Sequence, residues 1–387
     1  MISRKIEENL KRSSWIRAMF EQGNQLKKQF GEENVFDFTL GNPDPEPSEG
    51  ILNTMEDLVR VPGIHKYMAN AGFEDVRSKV AEYTAKETGV NLSAKDVIMV
   101  NGAAGGLNVV LKSILNEGEE VIVIAPFFSE YRFYTENHGG VLVTVPAKEG
   151  SFNLDVEAIK KAITDKTKAI ILNSPNNPTG TVYDEETLMK LRDVLESVGH
   201  AIYVLSDEPY VKIVYDGVKV PSILKIFKNS IVINSFSKSL ALPGERIGYC
   251  VVNPRCEDAE ILLQAMVFAN RTLGFVNAPS LLQKAIAEHL DDVVGLEEYK
   301  AKRDALYDIL IEAGFECRKP EGAFYLFPKC PISDDGEFAK EALKHNLVLV
   351  GGTGFGYPGY IRLAYCVSMD TIKNSRQAFI NLMKKYN

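Results

Sequence analysis

The sequence predicts an α/β protein. A large domain carries a mostly parallel sheet covered by helices, and a smaller α+β domain is assembled from both chain ends. Three observations predict this. From about residue 95, short runs of mostly β-branched residues alternate with amphipathic stretches of helical length. The runs are apolar at successive positions, which suits strands covered on both faces rather than strands with one wet face. Most of them end directly in a segment rich in glycine, proline or polar residues, and parallel sheets bind ligands beyond the carboxyl ends of their strands.

Taken in order, residues 13–31 read as a helix, with Ser13 or Ser14 as N-cap, apolar Trp15, Ile16, Met19 and Phe20, and Gly31 as the stop. "DVIMV" (96–100) leads through "NGAAGG" to the helix "LNVVLKSIL", and "EVIVIA" (120–125) through "APFF" to "SEYRFYTENHG". "VLVTV" (141–145) precedes "DVEAIKKAI", and "KAIILN" (168–173) leads through "SPNNPTG" to "DEETLMKLRDVLESVG". "AIYVLS" (201–206) and "IVINS" (231–235) complete the series. After about 280 a helix over "EEYKAKRDALYDILIEAG" is followed by the strands "AFYLF", "NLVLVG" and "YIRLAYC" and a terminal helix from Asp370. The predicted boundaries are 41–280 for the large domain, and 1–40 with 281–387 for the small one.

The 387 residues, 45% hydrophobic and 25% charged, have ordinary globular composition and suffice for two domains. A net charge of −8 argues against a nucleic-acid footprint and leaves small anionic ligands open. The N-terminus has no apolar signal region, and no run of about 18 apolar residues occurs, so no membrane association is expected. Five cysteines without CxxC spacing point to a reduced, cytoplasmic setting, and five scattered histidines argue against a metal site.

"SFSKSLALPGERIGY" (235–249) sets Lys238 directly after an apolar strand, before a tight turn, with Arg246 close behind. An ammonium in such surroundings is relieved by a depressed pKa, and a neutral lysine is a nucleophile. A structural lysine is one alternative. Another is the S-x-x-K motif of serine acylases, but the S-D-N and K-T-G segments that should follow it are missing. Asp207 ends a strand where a carboxylate can hold a cationic ring nitrogen, or can serve as a turn or N-cap aspartate. "NGAAGG" aims first-turn amides at whatever lies above them, which suits a phosphate, or is simply a tight turn. Asn177 precedes a proline, which biases it toward an extended conformation with its amide free for a ligand; the bland reading is a plain connection. The run "GGTGFGYPG" (351–359) enters a strand rather than a helix, so it is not a dinucleotide loop. Arg362, between Ile361 and Leu363, faces away from them, where it can grip a carboxylate or make a surface ion pair. Nucleophilic lysine, ring-nitrogen aspartate, phosphate cradle and carboxylate-binding arginine together describe one cofactor, pyridoxal phosphate.

These residues resemble the class I/II aminotransferases, fold-type I pyridoxal-phosphate enzymes of the aspartate-aminotransferase type. The resemblance runs from "LGNPDP" (40–45) to "YIRLAYC" (360–366). It implies a sheet of the seven-stranded type and a homodimer with shared active sites. It further implies that Lys238 bonds the cofactor covalently, while Ser235, Arg246 and the amides of Ala103 and Ala104 hold its phosphate. Asp207 would face the ring nitrogen, Tyr210 and Asn177 the ring oxygen, and Phe128 the ring face. Tyr67 would reach the neighbouring subunit's phosphate. Gly41 and Arg362, with Asn177, would receive the substrate carboxylate. Arg271, ahead of "FVNAP", is the counterpart of the arginine that reads a second carboxylate; a solvent-facing helix-end arginine is the alternative. Two departures stand out: alanines replace the usual Ser or Thr of the phosphate turn, and "GYPGYIRL" is shorter than the usual lead-in to the arginine. The implied reaction is transfer of an amino group from an L-amino acid, aspartate or glutamate first and aromatic residues second, to a 2-oxo acid such as 2-oxoglutarate. A pyridoxal-phosphate lyase of the C–S β-lyase kind is the alternative on the same scaffold. An effector-binding module of a transcription regulator would need an added basic DNA-binding domain.

Overall fold

The computed structural model describes residues 2–386, with the side chains of residues 11–20 outside the described set. Strand β1 (Phe36–Asp37) precedes a seven-stranded sheet. Its strands are β2 (Val97–Val100), β3 (Glu120–Ala125), β4 (Val141–Pro146), β5 (Thr167–Asn173), β6 (Tyr203–Asp207), β7 (Ser230–Ser235) and β8 (Gly248–Val252). They lie in the order β2-β8-β7-β6-β5-β3-β4, and only β8 runs antiparallel to its neighbours. The chain is α/β, with this mostly parallel sheet flanked by helices.

Both faces of the sheet are buried, as the unbroken apolar runs require. Along β5, Ala169 and Ile171 pack with the helices Gly102–Ile114 and Ala259–Thr272, while Ile170 and Leu172 pack with Val156–Ala162 and Glu185–Glu196. Period-two alternation sends neighbours to opposite layers, and each buried Ile or Leu contributes about 1.5–3 kcal/mol relative to exposure. Asp155 and Asp184 cap two of these helices, accepting from Ala158 N and Thr187 N, so the turns end where the sequence supplies a carboxylate.

Three expectations need correction. The strand β8 was not foreseen: "GYCVV" opens on a glycine directly after a tight turn, and a strand glycine weakens the signal. The first helix spans Arg4–Phe30 with Ser3 at its N-cap position, not Ser13 or Ser14. The charged stretch before them, "RKIEENLKR", consists largely of good helix formers without a breaker, so the helix starts earlier. Gly31, with φ 87°, does end it. The apolar side chains expected for that helix, Trp15 to Phe20, lie outside the described residues. The terminal helix starts at Met369 and is interrupted at Ser375, giving Met369–Asn374 and Arg376–Met383.

The remaining strands are β9 (Tyr325–Leu326), β10 (Leu347–Val348), β11 (Val350–Gly351) and β12 (Ile361–Ala364). β1 pairs in parallel with β10, and β11-β12-β9 form an antiparallel sheet. A core containing Phe38, Tyr299, Leu306, Phe324, Ile361 and Phe379 joins these segments, and Tyr210 belongs to it too. That packing sets β12, with Arg362, beside the carboxyl edge of the large sheet.

Candidate active site

The structure gathers Gly41, Ala103, Ala104, Phe128, Asn177, Asp207, Tyr210, Ser235, Lys238, Arg246 and Arg362 around one cleft of about 330 Å3. Tyr67 and Arg271 are not brought into it within this chain. Tyr67 is 92% exposed, and Arg271, in the last turn of its helix, packs against the ring of Phe268 at 5.3 Å.

Lys238 lies in a single helical turn, Phe236–Ser239, that caps β7. Its Nζ donates to the Gly41 carbonyl oxygen at 2.7 Å and lies 5.4 Å from the centre of the Phe324 ring. Burial lowers the amine to about 8, and the guanidinium groups of Arg362 and Arg246 push the same way. The site thus yields an amine that loses its proton readily. Gly41 is obligatory at the rim, because a Cβ there would fall inside the Tyr325 hydroxyl.

Asp207 closes β6, 5% exposed. Its Oδ2 accepts from the Tyr131 hydroxyl at 2.5 Å, while Oδ1 is buried without a partner among the described residues. Burial raises the carboxyl to about 6, against the lowering effect of the Tyr131 bond. A buried acceptor left open in a cleft is a demand for a donor, most favourably a cationic one. Asn173 fixes the surroundings: its Nδ2 donates to the Asp207 carbonyl at 2.9 Å and its Oδ1 accepts from Asn177 N at 2.7 Å.

At the far end, the helix Gly102–Ile114 begins with Ala103 and Ala104, whose first-turn amides have no intrahelical acceptor. Gly102 has φ +71°, and a Cβ there would come within 2.8 Å of Arg246 Nη2. The antiparallel run of β8 makes this approach possible, since Gly248 pairs with both Val100 and Ser235 and brings Arg246 back to the same edge. Amides, a guanidinium and the Ser235 hydroxyl thus share one corner.

Arg362 donates through Nη2 to the Thr39 carbonyl at 2.6 Å and through Nη1 to Asn177 Oδ1 at 3.2 Å. Its Nε is buried without a partner among the described residues. Arg362 thus takes the oxygen of the Asn177 side-chain amide. Tyr210 is likewise engaged, its hydroxyl 2.9 Å from that of Tyr325.

The donor set fits pyridoxal phosphate: an open carboxylate for a ring nitrogen, a neutralisable amine for an aldehyde, and an amide-lined corner for a dianion. The family model for aminotransferase class I and II matches residues 33–379. The chain belongs to that family. This aminotransferase is 33% identical over 373 residues to aspartate aminotransferase of Bacillus subtilis, which covers 91% of this chain and 92% of that one. It is 31% identical over 381 residues to aromatic-amino-acid aminotransferase 2 of Thermococcus litoralis, covering 94% and 96% of the two chains. It matches an amino transferase structure from Eubacterium rectale with a TM-score of 0.96 and 40% identity over 100% of both chains. Against aspartate aminotransferase of Thermus thermophilus with maleate the TM-score is 0.86, at 28% identity over 95% and 96%. The enzyme is an aminotransferase and depends on pyridoxal phosphate, with the aspartate-aminotransferase-like fold. Among the described residues no helix is long and apolar enough to cross a membrane.

Sequence reasoning missed Tyr131 and Tyr325. Tyr131 looked like one more aromatic on a helix, and nothing local marks it as the partner of a carboxylate 76 positions away. Tyr325 carried a weak sign, since alternation in "AFYLF" turns its polar tip away from Phe324 and Leu326.

Proposed function

We propose that this aminotransferase moves the amino group of an L-amino acid, aspartate or glutamate first and aromatic amino acids second, to a 2-oxo acid such as 2-oxoglutarate. The observation that carries the reading is the orphaned Nε of Arg362, buried in the cleft with Lys238 and presenting an unspent donor where a carboxylate can dock. The aspartate and aromatic names of the relatives support the donor order.

Bound pyridoxal phosphate supplies an aldehyde that takes up the amino group and a cationic ring that draws electrons from Cα. Lys238 would hold the cofactor aldehyde, and its Nζ, with its lowered pKa, would serve as the base that moves a proton at the substrate Cα. Asp207 would accept from the ring nitrogen through Oδ1 and favour its protonated form, with Tyr131 holding Oδ2. Tyr210 and Asn177 would address the ring oxygen, and Phe128 would cover the ring face. Ser235, Arg246 and the amides of Ala103 and Ala104 would bind the phosphate. Arg362, Gly41 and Asn177 orient the substrate carboxylate.

Tyr67 and Arg271 act across a homodimer: both stand outside their own cleft, and Tyr67 is exposed beside Phe275 and Val276. The five free cysteines suit a reduced cytoplasmic setting.

A panel of amino donors with 2-oxoglutarate tests the reading. Acceptor-dependent release of 2-oxo acid, strongest with aspartate and glutamate, is expected. Ammonia or thiol release without an acceptor would instead identify a lyase.

A further inference from the structure

Helix Asp335–Leu343 is capped by Asp334, whose Oδ1 accepts from Glu337 N at 2.8 Å. Asp335, one residue on, therefore has no capping duty, yet it is 2% exposed. Its Oδ2 accepts three hydrogen bonds from the glycine-rich segment that leads to Arg362: from Thr353 N at 3.1 Å, Thr353 Oγ1 at 2.8 Å and Gly359 N at 2.9 Å. Among the described residues no cation pairs with it. A buried carboxylate satisfied only by donors at both ends of one loop is a clamp on that loop.

The clamped segment touches the site on two sides. The ring of Phe355 packs on the Arg362 guanidinium, 4.8 Å from Cζ, beside Tyr325 at 4.7 Å. The Phe355 carbonyl accepts from Phe127 N at 3.0 Å, one residue before Phe128 in the cleft. Arg362 has two of its donors fixed by Thr39 and Asn177 and its flat faces set by rings. Releasing Phe355 would let the guanidinium plane turn, and bidentate recognition of a carboxylate depends on that plane.

We infer that Asp335 is a positioning residue for the transamination: by tying Thr353 to Gly359 it holds Phe355 on Arg362 and so sets affinity for the substrate carboxylate. The inference rests on the assignment of Arg362 as carboxylate receptor.

The test measures maleate binding to the holoenzyme from the perturbation of cofactor absorbance, together with kcat and KM, in Asp335→Asn, Thr353→Val, Phe355→Leu, the Asp335→Asn/Phe355→Leu pair and Arg362→Lys. Asp335→Asn keeps shape and one acceptor oxygen but loses the charge. It should weaken maleate and raise KM roughly tenfold, with kcat and cofactor affinity nearly unchanged. Thr353→Val, which keeps the backbone donor, should shift both in the same direction by less. The double variant should bind maleate no worse than Phe355→Leu alone, because the clamp acts through that ring. Wild-type maleate affinity in Asp335→Asn and Thr353→Val would overturn the inference. So would losses that add in full in the double variant, or a loss that merely tracks cofactor release. If Arg362→Lys also leaves maleate binding unchanged, the receptor assignment itself fails; if it weakens binding while Asp335→Asn does not, only the clamp falls.

Discussion

Tyr131 donates a hydroxyl hydrogen bond to one oxygen of Asp207 at 2.5 Å, and the other oxygen is buried with no donor among the described residues. The pair works as a half-filled socket: one oxygen is fixed by the protein and the other reserved. In Tyr131→Phe the fixed oxygen loses its donor too, and the apoenzyme carboxylate is left with none. The carboxyl should then rise above its present value of about 6, and holoenzyme affinity for pyridoxal phosphate should fall roughly tenfold. Absorbance titration of the apoenzyme checks this, and unchanged affinity would show that Tyr131 does not hold the socket.

Asp207 should also cost the apoenzyme stability. Its carboxyl is raised from 3.8 to about 6, so between those values the native state binds more protons than the unfolded chain. Stability therefore falls as pH rises through that window, and the penalty is complete above it. Asp207→Asn removes the charge and should stabilise the apoenzyme by about 1–3 kcal/mol at pH 7 while flattening the slope between pH 4 and 6. Urea unfolding at the two ends of the window measures both. The same variant should lose transamination heavily, since a neutral amide cannot keep the ring nitrogen protonated. An apoenzyme no more stable than wild type would contradict the argument.

Lys238→Ala should still bind cofactor noncovalently through the phosphate corner and Asp207, yet lose turnover by roughly three orders of magnitude or more, because tether and base vanish together. Borohydride reduction of the wild-type holoenzyme followed by peptide mapping should mark Lys238. A mark on another lysine would remove it from its role.

If Tyr67 serves a neighbouring subunit, the site is complete only in a closed oligomer. Sedimentation at assay concentrations should show no active monomer. Tyr67→Phe should weaken cofactor retention while leaving assembly intact. Fully active monomer would end the shared-site reading.

Arg271 carries the sharpest substrate prediction. It packs on Phe268 in the last turn of an exposed helix end, outside its own cleft. Arg271→Ala should cut kcat/KM for aspartate roughly ten- to a hundredfold, the value of one charge-assisted contact, and spare phenylalanine. Equal losses for both donors would show that Arg271 does not read the side chain.

Much of this was legible in the sequence because it is local. Strand runs apolar at every position report burial on both faces, and the residues just beyond them fall at the carboxyl edge wherever the sheet is parallel. Lys238, Asp207, Asn177, Ser235 and the Ala103–Ala104 turn could therefore be assigned to one edge without coordinates. Arg362 was readable from its strand parity alone. The tertiary structure decided what depends on distant segments meeting. The Gly41 carbonyl receives Lys238 across 197 positions, Tyr131 meets Asp207 across 76, and Thr39 orients Arg362 across 323. It also decided that β8 runs against its neighbours and so returns Arg246 to Gly102. Periodicity records which way a side chain faces along its own element, whereas partners, protonation and the buried oxygens left open arise only when packing excludes water from several elements at once.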